Sequence, residues 1–142
     1  MASDALAICV SSKEASLYKE ASAKSQVVAK APRYTPLKWT GNKKLGFFEV
    51  YSRDRKKSWI RLSQISPKLI CLQVKVKRSQ LFDGPGKNFA KAEINAVLGD
   101  SFRDLGGEDG WTLVEDREGH RAWINLDHTW KPAQLMRMSF EQ

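Results

Sequence analysis

The sequence predicts an all-β chain of two small barrels in tandem. Three observations lead there: a gapless internal repeat, apolar runs of strand length, and turn chemistry at each break between them. Displacing the chain by 64 residues places Leu17 on Leu81, Tyr18 on Phe82, Gly46 on Gly110, Phe47 on Trp111, Val50 on Val114, Arg53 on Arg117, Trp59 on Trp123, Ile60 on Ile124 and Leu62 on Leu126. One offset serves every pair, the mark of a duplicated unit.

In the second copy the strand candidates are 72–76, 92–97, 101–105, 111–115 and 121–125. Asp83-Gly84-Pro85-Gly86, Gly99-Asp100, the run from Gly106 to Gly110, and Glu118-Gly119 divide them. Glycine adopts positive φ cheaply and proline fixes φ near ~-65°, so each break can reverse the chain. A unit of about sixty residues is too small for a broad two-layer sandwich, but its strands can close into a cylinder without exposed edges. The expected organisation is a basic barrel over 8–66, a charge-neutral barrel over 67–132, and a tail over 133–142. That tail alternates Leu135, Arg137 and Ser139 with Met136, Met138 and Phe140, which suits an added strand on an edge or on a neighbouring molecule. Fraying is the competing account. Arg55 stands where the second copy has Gly119, so the first copy's hairpin turn is expected to be looser or differently shaped.

Composition narrows the function classes. No apolar run approaches the ~18 residues of a membrane span. Five Trp, three Tyr and six Phe among 142 residues supply enough apolar area to offset ordering entropy. The net charge of +8 is unevenly placed: residues 1–66 hold 13 Lys+Arg against 5 Asp+Glu, and residues 67–142 hold 11 against 11. Met1-Ala2-Ser3-Asp4 shows neither the basic start nor the apolar stretch of a secretory signal, which leaves the compartment open.

The second copy reads Leu81-Phe82-Asp83-Gly84-Pro85-Gly86-Lys87-Asn88-Phe89, then Leu98-Gly99-Asp100, Gly110-Trp111 to Val114, and Gly119-His120-Arg121-Ala122-Trp123-Ile124. These motifs resemble the bacterial SH3 domain. With the entries Cys9-Val10 and Cys71-Leu72, the chain looks like the tandem form found in Gram-negative bacteria, over about residues 8–131. Phe82 and Tyr18 stand where the family has Arg, the first copy has Lys19-Glu20-Ala21-Ser22 in place of Gly-Pro-Gly, and Ser58 and Ala122 precede the last Trp where Gly is common. The resemblance implies SH3-like barrels, no cofactor, and a non-catalytic module that binds peptidoglycan or an envelope protein or peptide.

Cys9 and Cys71 sit in similar surroundings, Ile8-Cys9-Val10 and Ile70-Cys71-Leu72. A bridge would close a loop of about 60 residues, stabilise by about 4 kcal/mol, and fit an oxidising compartment. Two buried free thiols are the alternative. The resemblance favours the bridge, and with it a periplasmic or extracellular location.

His120 and His128, eight apart, match no zinc spacing, and no metal site is expected. No activated nucleophile or phosphate loop is marked, so the chain is not expected to be an enzyme. Glu108-Asp109 and Glu115-Asp116 fall in or beside turns, where solvated charge is ordinary.

The ligand-binding candidates are Tyr18, Trp39 and Phe82 for a shallow aromatic groove, with Lys43, Lys44, Arg55, Lys56 and Lys57 steering an anionic partner. Trp59 and Trp123, each beside an Ile, are expected in the core. Two other readings stand beside envelope binding. A basic barrel that stacks nucleic-acid bases is weakened by the neutral second copy. A scaffold whose tail recruits a subunit, as in a homodimer, is the other.

Overall fold

The computed structural model describes residues 6–132. The tail over 133–142, proposed above as an added strand, lies outside the described residues.

Period-two alternation turns each short apolar run into a strand. In β6 (Lys57–Arg61) Ser58 and Ile60 are buried between exposed or half-buried neighbours, and β13 (Arg121–Asn125) repeats this with Ala122 and Ile124. The remaining strands of the first copy are β1 (Leu6–Val10), β2 (Glu14–Tyr18), β3 (Val27–Pro32), β4 (Pro36–Lys44), β5 (Phe47–Tyr51) and β7 (Ile65–Ser66). In the second copy they are β8 (Cys71–Val74), β9 (Arg78–Phe82), β10 (Lys91–Val97), β11 (Ser101–Glu108), β12 (Trp111–Glu115) and β14 (Thr129–Trp130). Short 3-10 turns, Leu62–Gln64 and Leu126–His128, lead into β7 and β14. Sequence periodicity missed β9 because Arg78-Ser79-Gln80 carries no apolar residue, although Ser79 occupies a buried strand position.

The chain is all-β, in two seven-stranded antiparallel sheets of matching order, β3-β2-β6-β5-β4-β1-β7 and β10-β9-β13-β12-β11-β8-β14. Each surrounds its own apolar cluster. Ala31 from the edge strand β3 and Ile8 and Val10 from β1 share one cluster with Leu17, Leu37, Val50 and Ile60, so the first sheet curls over its core. Leu72, Val74, Leu81, Ala96, Phe102, Val114 and Ile124 form the second cluster. Among the described residues the expected cylinders do not close by hydrogen bonding, since β3 and β10 have no strand partner on one side. The strands at the opposite edge, β7 and β14, have two residues each and are too short to reach round; Pro32 also removes a donor from β3.

The hairpin turns are the same in both copies. Leu45 and Gly46 (φ 53° and 83°) match Asp109 and Gly110 (φ 52° and 85°), the pair of positive φ angles that fits a two-residue hairpin. Arg55 (φ 64°) takes the left-handed position of Gly119 (φ 91°), and its N–H donates to Ser52 O at 2.9 Å as Gly119 N–H does to Asp116 O at 3.1 Å. The looser turn expected for Arg55 is therefore not found. The flanking β5–β6 ladder imposes the backbone path, and the side chain conforms.

Cys9 and Cys71 are disulfide-bonded, with Cα atoms 5.9 Å apart, and join β1 to β8. Both are buried. Their surroundings look alike in sequence, but they are not equivalent positions. Val10 N–H donates to Thr35 O and Val74 N–H to Asp100 O, so Val10 matches Val74, Cys9 matches Gln73, and Cys71 matches Ala7. Gln73, in the place of Cys9, accepts a hydrogen bond from Arg53 Nε across the two sheets at 3.3 Å. Among the described residues no helix is long and apolar enough to cross a membrane.

Candidate functional site

Directly opposed residues of an antiparallel pair share a face of the sheet. Tyr18 opposes Trp59, and Trp59 opposes Glu49, while Leu17, Ile60 and Val50 point into the core. Tyr18 and Trp59 therefore lie on the outer face. Phe47, beside them and mostly buried, stands edge-on to Tyr18 with centroids 5.7 Å apart and planes at 89°. The second sheet repeats this: Phe82 opposes Trp123, and Trp111 stands edge-on to Phe82 at 5.6 Å and 89°. Edge-to-face contact of this kind stabilises a ring pair by about 0.5–1.5 kcal/mol. Each sheet thus presents a half-buried tryptophan, Trp59 or Trp123, beside an aromatic pair.

This places the tryptophans differently from expectation. Trp59 and Trp123 face outward because the fully buried Ile60 and Ile124 occupy the inward positions next to them. Trp39 lies on the core side, stacked on Phe48 at 4.3 Å and 15°, with Nε1 donating to Asn42 O at 2.9 Å. Tyr18 and Trp39 are on opposite faces, and Phe82 belongs to the other sheet. The three do not line one groove. What sequence reading missed was the partner set, Phe47, Trp59, Trp111 and Trp123; the alternation Ser58-Trp59-Ile60 held the signal.

The second sheet fills the place of Trp39 and Phe48 with Asp104 and Thr112, as the ladder of Trp39 to Val50 and Asp104 to Val114 shows. The Asp104 side chain is 5% exposed, accepts from Thr112 Oγ1 and the Gly106 N–H, and pairs with Lys131 Nζ at 2.6 Å. Burial pushes its pKa up, but these donors and the lysine charge outweigh it and hold the carboxyl below its ordinary value.

The steering cations separate into two groups. Lys43 and Lys44 belong to the end of β4, opposite Phe48 and Phe47. Arg55 and Lys56 occupy the turn at the other end of β5, and Lys57 begins β6, about 13 Å away at ~3.3 Å per residue. Lys57 pairs with Glu49 at 3.8 Å and Lys56 with Asp54 at 3.9 Å. The Ser52 hydroxyl, foremost among several causes, holds the Asp54 carboxyl below its usual range.

Two side-chain groups merit chemical scrutiny. Ser79 Oγ lies 2.8 Å from His128 Nδ1, the spacing of a nucleophile and base. Ser79 is 1% exposed and takes the core position of Ala15 in the first sheet, so this pair satisfies one buried hydroxyl. Asp116, Glu118 and His120 hold ligand-type atoms within 4.8 Å of one another. They sit on an exposed hairpin turn, where Asp116 already accepts from the N–H groups of Glu118 and His120.

No protein-family model and no curated protein matches the chain. Among solved structures it is similar to NlpC1 of Trichomonas vaginalis, with 14% identity over 93% of this chain and 48% of that one and a TM-score of 0.41. It is also similar to NlpC2 of the same organism, with 12% identity, 93% and 50% coverage, and a TM-score of 0.42. The chain spans about half the length of these structures.

Proposed function

We propose that the chain is a non-catalytic binding module of the cell envelope, built of two SH3-like units, that recognises peptidoglycan or a peptide partner through its outer aromatic faces. The observation that carries this is the duplicated set: Tyr18, Phe47 and Trp59 recur as Phe82, Trp111 and Trp123 at one offset, each with a half-buried indole on the side away from the core. Such rings present large contact area at low entropic cost and suit a sugar ring or an aliphatic stem. The motifs around Gly84-Pro85-Gly86 and Gly119 to Ile124 support the SH3-like assignment. The buried Cys9–Cys71 bridge supports a periplasmic or extracellular site. Lys43, Lys44, Arg55, Lys56 and Lys57 supply steering, and Trp39 packs the core instead of meeting ligand.

The test is retention on purified sacculi at low salt, by the wild-type chain and by Trp59→Ala/Trp123→Ala. Retention that drops about tenfold or more in the double variant is expected for anchors of this kind. Absent retention of the wild type, or unchanged retention of the variant, overturns wall binding.

A further inference from the structure

An open cleft of about 530 Å³ lies between the two sheets, bounded by the β5–β6 turn on one side and by β14 and the residues after it on the other. Lys38, Arg53, Arg55 and Lys131 line it together with Tyr51 and Trp130, and no described Asp or Glu does. Lys131 is already held by Asp104 at 2.6 Å. Lys38, Arg53 and Arg55 have no carboxylate partner among the described residues. The acid closest in sequence, Asp54, accepts from Ser52 and pairs with Lys56; it shares the adjoining pocket with Arg53, whose charge also helps to lower its pKa, but it does not line this cleft.

The second sheet shows what this arrangement looks like without a task. Register places Lys38, Tyr51 and Lys57 in one row across β4, β5 and β6, and Arg103, Glu115 and Arg121 in the equivalent row. Glu115 sits 3.9 Å from Arg103 and 3.7 Å from Arg121, so that row neutralises itself. In the first sheet Tyr51 replaces the acid, Ser52 replaces Asp116, and Arg55 replaces Gly119. Two carboxylates are gone from the cleft's rim. A cation has been added at φ 64°, a conformation costly for residues other than glycine, asparagine and aspartate. Strain and unpaired like charge gathered at one place suit a site that an anion completes. Arg53 Nε is fixed by Gln73 Oε1 at 3.3 Å, which leaves its outer N–H groups for a ligand.

We infer that this cleft binds the acidic group of a glycan, with a carboxylate or sulfate between Lys38, Arg53 and Arg55 and the sugar ring against Tyr51 or Trp130. A sugar unit suits the volume, which falls in the range of small-ligand pockets. A nucleic-acid strand needs a continuing cationic track, and the Arg103–Glu115–Arg121 row of the second sheet offers none. The cleft shares no lining residue with the aromatic sets, although Tyr51 lies two residues along the same face of β5 as Glu49, which opposes Trp59, so variants of the two sets tell the readings apart.

The experiment titrates the full chain with trigalacturonate and with its methyl ester, following Trp fluorescence and calorimetry. The uronate should bind with an affinity that weakens as salt rises, and the ester about tenfold more weakly or less. Arg55→Gly and Tyr51→Glu, which install the second sheet's own residues, should each lose about tenfold or more, and Lys24→Ala, which removes an exposed cation between β2 and β3, should bind as wild type. The proposal is overturned if the uronate does not bind, if the ester binds equally, if both cleft variants bind as wild type, or if a single-stranded oligothymidylate binds the cleft more tightly than the uronate.

Discussion

Removal of the Cys9–Cys71 bridge should cost between about a fifth and somewhat over half of the chain's stability. The bond spans a sequence separation of 62 residues. On the chain-entropy model, closing such a loop removes about 14 cal/mol/K from the unfolded ensemble, about 4 kcal/mol at 25 °C. A chain of this length carries roughly 7–20 kcal/mol in total at ~0.05–0.15 kcal/mol per residue. The clean perturbation is Cys9→Ala/Cys71→Ala, since serine would bury unsatisfied hydroxyls where the cysteines are 0% and 4% exposed. Guanidinium denaturation followed by Trp fluorescence reads the result: at a slope of about 4 kcal/mol/M, the midpoint should fall by about 1 M. The same burial should make native-state reduction slow, because an attacking thiolate reaches the sulfurs only after local opening. A midpoint shift under about 0.3 M would refute the entropic argument. Two titratable thiols in denatured, unreduced protein would remove the bond itself.

Arg55→Gly and Leu45→Asn should each raise stability by about 0.5–1 kcal/mol, because both residues hold positive φ in a side chain that resists it; thermal melts at one pH check this, and Gly119→Arg should lower stability by a similar amount. Asp104→Asn should destabilise by about 1–3 kcal/mol at neutral pH. Because the folded carboxyl titrates below its unfolded value of about 3.9, its contribution is full above that value and disappears as pH falls through the lower folded value. Wild type and variant should therefore converge on acidification below about pH 4, and a constant gap would contradict the depressed titration. Ser79, at 1% exposure, should remain unlabelled by a fluorophosphonate probe, and labelling would reopen the question of catalysis.

The repeat was legible because both copies meet the same steric demands: Ile60 and Ile124 each fill a position with no free volume, and Gly46 and Gly110 each close a turn that requires positive φ. Strands 111–115 and 121–125 follow from that alternation, and the structure gives them the same bounds. Sheet closure was not legible, since it depends on the reach of two-residue strands whose ends are set by tertiary contacts. The aromatic site was half legible. Tyr18 and Phe82 belong to it, but the facing of Trp59 follows from its neighbours Ser58 and Ile60, and hydrophobicity alone pulled it inward. Likeness of flanking residues likewise suggested that Cys9 and Cys71 were equivalent, whereas backbone register separates them by two positions.

The charge asymmetry has a structural origin that counting alone does not reveal. The two halves differ little in cations, 13 against 11, and widely in acids, 5 against 11, so the first half is basic because acids are missing. Register and offset locate the losses. Trp39 stands for Asp104, Leu45 for Asp109, Tyr51 for Glu115, Ser52 for Asp116 and Ser63 for Asp127, while Lys19 stands for Asp83, Thr35 for Asp100 and Lys44 for Glu108. In the second sheet Asp104 and Glu115 hold Lys131, Arg103 and Arg121, and Asp116 holds its own hairpin turn. Trp39 is covered by Phe48 and the core, and Leu45 lies on the β4–β5 turn, so Tyr51 is the replacement that puts an aromatic ring into the cleft where a carboxylate stood. Lys19 and Lys44 do take the places of acids, but the two acids of the second sheet that correspond to cleft positions, Glu115 and Asp116, are replaced by uncharged side chains. At the cleft the first copy lacks the internal counter-charges of Glu115 and Asp116 and carries the Tyr51 ring in place of one of them, the combination expected where an external anion with an apolar face takes over their role.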